Sequence, residues 1–351
     1  MLQKTDSRIR VLVVDDSSFL RRAVLRMFAG SPDIRIVDVA RDGEMALALI
    51  GQIRPDVVTL DVKMPGMDGL SVLARIMAEF PTPVIMLSSL TGKGGEHTLK
   101  ALELGAVDFV DKASAGGPMD ISGLAKELTE KIMVAARVNL VTLQKRGTAE
   151  PPNLPEPSVP MGRGTELVVV GASTGGPQAL QTILTAIHAN FSCPILVVQH
   201  MPVGFTTSLA ERLDRISALT VKEGEDGEQP QAGHVYLAPA GKHMKVRRSG
   251  NELRIRLDMI PELSPHRPAV DVLFQSAAAA SGDKCLALIL TGMGRDGAVG
   301  ALEIKKAGGR IVVESEETAI VYGMPKAVVE SVDVDGKIPL YRVAESLAHM
   351  I

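Results

Sequence analysis

The sequence of 351 residues predicts an α/β protein with two doubly wound parallel-sheet domains, the second carrying a small antiparallel β insert. Short, continuously apolar runs alternate with stretches of helical periodicity, which is typical of buried parallel strands joined by crossover helices. This alternation occurs twice, on either side of a proline-rich stretch. We therefore predict a first domain at residues 8–138, a linker at 139–164 and a second domain at 165–351.

In the first half, five apolar runs of strand length are each followed by a stretch with helical spacing. The predicted strands are Val11–Val14, Ile34–Val39, Val57–Leu60, Val84–Leu87 and Phe109–Val110. The predicted helices are Ser18–Phe28, Glu44–Ile53, Leu70–Glu79, Gly95–Leu104 and Leu124–Val138. Five βα units of this length predict a parallel sheet covered on both faces, with a crevice at the carboxyl ends of its strands.

The proline-rich stretch carries five prolines and almost no large apolar residue, which favours an extended linker. The α/β alternation returns after it. Predicted buried strands are Leu167–Val170, Ile195–Val198 and Cys285–Leu290, with a further strand at Arg310–Glu314. Predicted helices are Ala179–Ala189, Thr207–Ile216, Val270–Ala280, Ala298–Ala307 and Leu340–Met350. Alternating runs at His234–Ala238, His243–Arg248 and Glu252–Leu257 predict the antiparallel insert, with a turn at 249–251.

Composition excludes several classes of function. The 38 basic and 41 acidic residues nearly balance, which argues against nucleic acid as a partner. No apolar run is long enough to cross a bilayer, and no signal peptide is visible, so we expect no direct membrane insertion and a cytoplasmic location. Cys193 and Cys285 each lead into an apolar run, which favours buried thiols, although a disulfide stays possible.

Acidic residues follow the predicted strands of the first half. Asp15, Asp16 and Asp61 lie at strand ends that meet in one crevice, where three carboxylates suit Mg²⁺. Ser88 and Lys112 follow the next strands and would bind a phosphoryl group taken up by a carboxylate. Taken singly, each residue also fits a helix cap, a turn or a solvated lysine.

This ordered set resembles the receiver domain of two-component response regulators. The resemblance implies phosphorylation of Asp61, with Mg²⁺ bound by Asp15, Asp16, Asp61 and the Lys63 carbonyl. It assigns phosphoryl binding to Ser88 and Lys112, and the aromatic switch to Phe109, here without a hydroxyl group. Ala113 stands where the family usually has a cis-linked proline, which puts the local peptide geometry in question.

A glycine-flanked serine opens the chemistry of the second half. Gly171-Ala-Ser173-Thr-Gly175 follows a buried strand and leads through Gly176-Pro177 into a helix, which fits the G-x-S-x-G nucleophile elbow. The helix N-terminus would place backbone N–H groups near a developing oxyanion. The same glycines also fit a dinucleotide-binding turn, but the next strand ends in Gln199-His200, where a ribose-binding acid is expected.

Of the seven histidines, His200 alone ends a buried parallel strand, and it should lie beside Ser173 as the general base. Asp296, in a glycine-rich loop after Cys285–Leu290, would orient it. Singly, His200 also fits a hydrogen-bonded strand end and Asp296 a helix cap. The order Ser, His, Asp differs from that of an α/β-hydrolase, which points to another fold.

The second half is similar to the catalytic domain of the chemotaxis protein-glutamate methylesterase family. The strings that carry this are Gly171-Ala-Ser-Thr-Gly-Gly176, Gln199-His-Met-Pro202, Phe205-Thr206, Ala238-Pro239 and Thr291-Gly-Met-Gly-Arg-Asp296-Gly. The resemblance implies the triad Ser173, His200 and Asp296, with Thr174 and Met293 near the oxyanion and no cofactor at the esterase site.

The resemblance also implies partners and a pathway. Methyl-accepting chemoreceptors would be the substrate, through γ-glutamyl methyl esters and some glutamines. The chemotaxis histidine kinase would be the phosphodonor, and phosphorylation would activate the hydrolase. A non-enzymatic regulator, in which the glycine-rich crevice binds a ligand, is the alternative.

Overall fold

The computed structural model describes residues 7–88, 94–112, 121–138, 164–261 and 264–351. The chain divides into two compact units between Leu143 and Gln144. The predicted linker lies outside the described residues except for Gly164, and so does Ala113. The domain boundaries therefore stay predictions.

The first unit is a five-stranded parallel sheet in the order β2-β1-β3-β4-β5. Its strands are β1 (Ile9–Val14), β2 (Ile34–Ala40), β3 (Val57–Asp61), β4 (Val84–Ser88) and β5 (Asp108–Asp111). Its helices are α1 (Ser18–Phe28), α2 (Gly43–Ile53), α3 (Gly69–Glu79), α4 (Gly94–Glu103) and α5 (Ile121–Ala135). All five predicted strands and helices are present, with bounds shifted by a few residues.

Local chemistry fixes where several of these helices begin. Ser17 accepts a hydrogen bond from the Leu20 N–H, Asp42 from Met45 and Asp68 from Ser71, so each side chain caps a helix N-terminus. The central strands β1 and β3 are buried along most of their length, as a sheet covered on both faces requires.

The second unit is a seven-stranded parallel sheet in the order β14-β13-β12-β6-β7-β9-β8. Its strands are β6 (Leu167–Ala172), β7 (Ile195–Gln199), β8 (Thr220–Glu223), β9 (His234–Leu237), β12 (Cys285–Ile289), β13 (Arg310–Glu314) and β14 (Gly336–Ile338). A separate antiparallel hairpin pairs β10 (His243–Ser249) with β11 (Glu252–Asp258). The helices of the second unit are α6 (Gly176–Ala186), α7 (Phe205–Ile216), α8 (Val270–Ser281), α9 (Ala298–Lys306), α10 (Met324–Ser331) and α11 (Leu340–Met350).

The fold class is confirmed, including the antiparallel insert, but one strand was placed wrongly. His234–Leu237 pairs in parallel with β7 and β8 in the main sheet and does not join the hairpin. The alternating pattern suggested a hairpin strand, but three of the four residues are buried, as in a strand of the main sheet. Strands β8 and β14 and helix α10 were not predicted.

Burial of the two thiols confirms one expectation from composition. Cys193 and Cys285 are buried and free, and burial raises the pKa of the Cys285 thiol to about 12. Within the described part of the chain, no helix combines the length and apolar content needed to span a membrane.

Candidate active site and phosphoryl-acceptor site

Ser173, His200 and Asp296 come from three adjacent strands at the centre of the second sheet. Strand β6 lies between β12 and β7, which is the point where the order of the strands reverses and where such sheets form their crevice. Ala172 pairs with Gln199, so Ser173 and His200 directly follow paired positions at the same sheet edge. Asp296 follows β12, on the other side of β6.

The backbone around Ser173 is fixed by hydrogen bonds from both neighbouring loops. The Ser173 N–H donates to the Thr291 carbonyl at 3.1 Å, and the Ser173 carbonyl accepts from the Gly176 N–H at 2.7 Å. The Gln199 amide donates to the carbonyls of Ser173 and His200 at 2.9 and 3.0 Å, which joins the serine and histidine loops. The turn holding the serine is therefore rigidly placed.

Glycine is required where helix α6 begins. Gly175 has a φ of +78°, and a Cβ at Gly176 would lie 2.0 Å from the Gln199 Oε1. Only residues without a side chain permit this sharp turn and close approach. The predicted elbow thus has a definite steric reason.

His200 and Asp296 form a direct hydrogen bond. The His200 Nε2 lies 2.7 Å from the Asp296 Oδ2, and these side chains are only 9% and 11% exposed. The other ring nitrogen of His200, Nδ1, is buried and makes no hydrogen bond within the described residues. The ring therefore has one nitrogen held by a carboxylate and one left to accept a proton.

The carboxylate of Asp296 is held by three hydrogen bonds in all, which explains its charge state. Its Oδ2 also accepts from the Val270 N–H at 2.7 Å, and its Oδ1 accepts from the Asp271 N–H at 2.9 Å. Burial alone would raise the pKa of Asp296, but the hydrogen bond and charge of His200 and these backbone N–H groups lower it to about 2. Asp296 is therefore ionised at neutral pH.

The near-site residues Thr174 and Met293 lie on the two loops beside Ser173. Thr174 is buried, and its carbonyl accepts from the Thr291 hydroxyl at 2.9 Å. Met293 directly follows Gly292, where an added Cβ would lie 2.8 Å from the Ser173 Cβ. Within the described residues the Met293 N–H donates no hydrogen bond, whereas the Ser173 N–H is already used.

Sequence reasoning missed three residues of this site. The exposed His266 ring stacks on His200 with centroids 4.1 Å apart and planes 19° apart. Thr291, fully buried, links the serine loop to Val321, and Gln199 joins two loops as described above. His266 could not be predicted as a site residue, because nothing in the sequence connects its loop to β7.

In the first unit, the predicted phosphoryl-acceptor residues come together at the carboxyl ends of β1, β3, β4 and β5. Carboxylate oxygens of Asp15, Asp16 and Asp61 lie within 4.8 Å of one another. The Lys112 Nζ lies 2.8 Å from both Asp15 Oδ2 and Asp61 Oδ2. The three carboxylates fit a hard divalent cation in donor type and spacing, so these residues suit Mg²⁺.

Burial and charge set the properties of Asp61. Burial raises the pKa of its carboxyl; Lys112 opposes this rise, and the Asp15 charge adds to it. The Lys63 N–H donates to the Asp61 Oδ1 at 3.3 Å, which places the Lys63 backbone beside the acceptor. The role of the Lys63 carbonyl as a ligand stays a prediction.

Ser88 and Phe109 are both buried in this unit. The Ser88 hydroxyl accepts a hydrogen bond from the Thr98 hydroxyl at 2.9 Å, a contact that the sequence did not suggest. Phe109 is 3% exposed, and the Lys131 Nζ lies 5.2 Å from its ring centroid. Ser88 ends β4 and Phe109 lies within β5, and their proposed roles stay predictions.

Comparisons with known proteins match both units. Residues 168–347 match the family model described as CheB methylesterase, and residues 11–119 match the response regulator receiver domain. Two relatives are named protein-glutamate methylesterase/protein-glutamine glutaminase. The one from Geobacillus kaustophilus (strain HTA426) is 44% identical over 98% of this chain and 99% of its own length. The other, from Thermotoga maritima, is 42% identical over 99% and 100%.

A solved structure gives the same result for the second unit. The crystal structure of the Thermotoga maritima CheB methylesterase catalytic domain is 44% identical, with a TM-score of 0.52. It covers 54% of this chain and 100% of that one. The likeness thus extends over the whole solved catalytic domain.

Proposed function

Because the chain belongs to the protein-glutamate methylesterase/protein-glutamine glutaminase family, we propose that Ser173, His200 and Asp296 are its catalytic triad. The chain is a chemotaxis hydrolase that also carries a response regulator receiver domain. The substrate would be γ-glutamyl methyl esters on the helical cytoplasmic part of chemoreceptors. The observation that carries the proposal is the 2.7 Å pair of His200 and Asp296 at strand ends flanking Ser173.

Acylation begins when the Ser173 hydroxyl oxygen attacks the ester carbonyl. His200 takes the hydroxyl proton on Nδ1, the nitrogen that makes no hydrogen bond to a described residue. The tetrahedral intermediate then collapses, the C–O bond to the methoxy group breaks, and His200 returns the proton so that methanol leaves. An acyl-enzyme on Ser173 remains.

Asp296 selects the histidine tautomer that this step needs. Its ionised carboxylate accepts the Nε2–H of His200, which leaves Nδ1 unprotonated and ready to act as a base. The same carboxylate stabilises the imidazolium ion that forms during attack. The Met293 N–H is the proposed oxyanion donor, because it donates no hydrogen bond to any described residue, whereas the Ser173 N–H donates to the Thr291 carbonyl.

Deacylation repeats the sequence with water. His200 removes a proton from water, the resulting hydroxide attacks the acyl carbon, and Ser173 leaves with the proton as glutamate is released. A glutamine side chain would follow the same route with ammonia as leaving group, so one site would serve both esterase and deamidase reactions.

Asp61 would take a phosphoryl group from the chemotaxis histidine kinase. Mg²⁺, held by Asp15, Asp16, Asp61 and the Lys63 carbonyl, would neutralise the charge of the transferring group. Lys112 would bind a phosphoryl oxygen, and Ser88, whose oxygen accepts from Thr98, would donate its own hydroxyl hydrogen to another. This phosphorylation would raise the rate of ester hydrolysis in the second unit.

Methanol release from methylated receptor membranes tests the esterase assignment. The Ser173→Ala variant should lose turnover by roughly 10⁴-fold or more, because no other group can form the acyl-enzyme. Ser249→Ala, in the exposed end of strand β10, is the matched control and should retain the full rate. A Ser173→Ala protein with more than a tenth of wild-type activity would exclude the mechanism.

A further inference from the structure

Two carboxylates cross between helices α8 and α9 beside the proposed triad. Asp296, just before α9, accepts hydrogen bonds from the Val270 and Asp271 N–H groups at the start of α8. Asp271, in the first turn of α8, accepts through Oδ1 from the Gly297 and Gly300 N–H groups at 3.0 and 2.7 Å. Asp296 therefore caps the N-terminus of α8, and Asp271 caps the N-terminus of α9.

Close packing of the two helices makes this exchange possible. Gly297 has a φ of +99°, and an added Cβ would lie 2.9 Å from the Val270 Cγ1. At Gly300 a Cβ would lie 2.5 Å from the Phe274 Cβ and 3.0 Å from the Asp271 carbonyl oxygen. The two helix N-termini approach so closely that a short carboxylate reaches across in each direction.

Ordinary helix capping does not require this arrangement. Burial raises the pKa of the Asp271 carboxyl; the Gly300 N–H opposes the rise, and the Asp296 charge adds to it. Placing a second carboxylate beside a buried one has an electrostatic cost, since like charges repel. The contacts with Gly297 and Gly300 recover part of this cost and fix the chain on the carboxyl side of Asp296.

We propose that Asp271 is a positioning residue for the reaction, holding the Asp296 carboxylate in line with the His200 Nε2. It acts on Asp296 from two sides, through its own N–H to the Oδ1 and through its carboxylate to the backbone of Gly297. This inference rests on the proposed triad. Loss of the Asp271 carboxylate frees the 297–300 backbone, so that Asp296 drifts from the ring and the general base loses its tautomer control.

The test compares kcat and KM for methanol release among full-length variants. Asp271→Ala should lower kcat by roughly 10- to 100-fold with KM within about twofold, because the defect lies in alignment and not in receptor binding. Asp271→Asn keeps an oxygen acceptor for both glycine N–H groups, so it should retain at least about a third of the wild-type kcat.

A stability control separates positioning from general loosening. Asp335→Ala removes the contacts of that carboxylate with Lys305 and the Ile311 N–H, at the amino end of β13 and away from the catalytic edge. It should lower the thermal unfolding midpoint as much as Asp271→Ala does while leaving kcat near wild type. If Asp271→Ala does not fold, Asp271→Ser replaces it and should have a lower kcat than Asp271→Asn.

The outcomes distinguish this inference from the proposed function. Wild-type kcat in Asp271→Ala, or an equal loss in Asp271→Asn or Asp335→Ala, overturns the positioning role while a dead Ser173→Ala still supports the esterase. An active Ser173→Ala overturns the triad and, with it, the role of Asp271.

Discussion

The two ring nitrogens of His200 have different surroundings, and this difference decides what the residue can do. Nε2 lies against an ionised carboxylate, while Nδ1 is buried with no hydrogen-bond partner in the described ranges. A buried nitrogen without a partner is costly, so it is expected where another group supplies the partner during the reaction. The proposed partner is the hydroxyl of Ser173, which follows the strand next to that of His200.

The depressed pKa of Asp296 predicts how stability depends on acidity. The pKa falls from an ordinary 3.8 to about 2, so the associated stabilisation is complete above 3.8 and is lost as the pH falls toward 2. Between pH 5 and pH 3 the wild type should lose roughly 1 kcal/mol more unfolding free energy than Asp296→Asn, in which this group cannot titrate.

Urea unfolding followed by tyrosine fluorescence measures this difference in the second unit alone. All three tyrosines, Tyr236, Tyr322 and Tyr341, lie there, and the chain has no tryptophan. If both proteins lose the same free energy between pH 5 and pH 3, the described hydrogen bonds of Asp296 do not set its pKa.

The sequence identified the residues that follow strands but not those that support them. Ser173, His200 and Asp296 could be predicted as neighbours at one sheet edge because each ends or follows an apolar run in a parallel sheet, so their placement depends only on topology. His266 and Asp271 depend on how separate loops and helices pack. Neither packing has a periodic signal in the chain, and for this reason the pattern did not reveal them.

At the scale of the element, the central sheet explains why three loops converge. Strand β6 is flanked by the strand that follows it, β7, and by one that arrives much later, β12. The apolar runs of these three strands predicted them well. Strands β8 and β14 lie at the two sheet edges and are only four and three residues long, so their patterns were too short to predict.

The loop after β12 packs so closely against Ser173 that we expect a side chain added at Gly292 to clash. A Cβ in Gly292→Ala would lie 2.4 Å from the Met324 Sδ and 2.8 Å from the Ser173 Cβ. We expect a loss of about 1–3 kcal/mol in unfolding free energy, and at least about 100-fold lower turnover because Ser173 must move.

Gly294→Ala in the same loop is the matched control for this substitution. Its φ of +88° makes an alanine strained, but no atom lies within 4 Å of the added Cβ. It should cost stability of about 1 kcal/mol and leave turnover within about tenfold of wild type. Equal activity in the two variants, measured by methanol release, would mean that Gly292 does not hold Ser173 in place.

At the scale of the whole molecule, two separate cores carry two separate chemistries. The acidic cluster belongs to the first unit, and the serine crevice to the second. Both units repeat one architectural solution, a parallel sheet with its reactive groups at the carboxyl ends of the strands. The domain limits at residues 138 and 165 stay predictions, because they adjoin residues outside the described ranges.

The proposed coupling of the two units predicts a response to phosphorylation. With Mg²⁺ and a small acyl phosphate, the full chain should release methanol roughly fivefold faster or more, a typical coupling between two sites. Asp61→Asn should keep the basal rate and lose the stimulation, because an amide cannot accept the phosphoryl group. Asp33→Asn, an exposed position before β2, is the control and should respond like wild type. Equal stimulation of Asp61→Asn would place the acceptor elsewhere.

The position of β12 in the chain also has a consequence for biosynthesis. Asp296 leaves the ribosome about 120 residues after Ser173, and the whole first unit precedes both. Domains that emerge first also fold first. The first unit can therefore be complete while the second still lacks Asp296 and the central strand β12. A chain released early would therefore carry the proposed phosphoryl-acceptor site but lack the proposed acid of the triad.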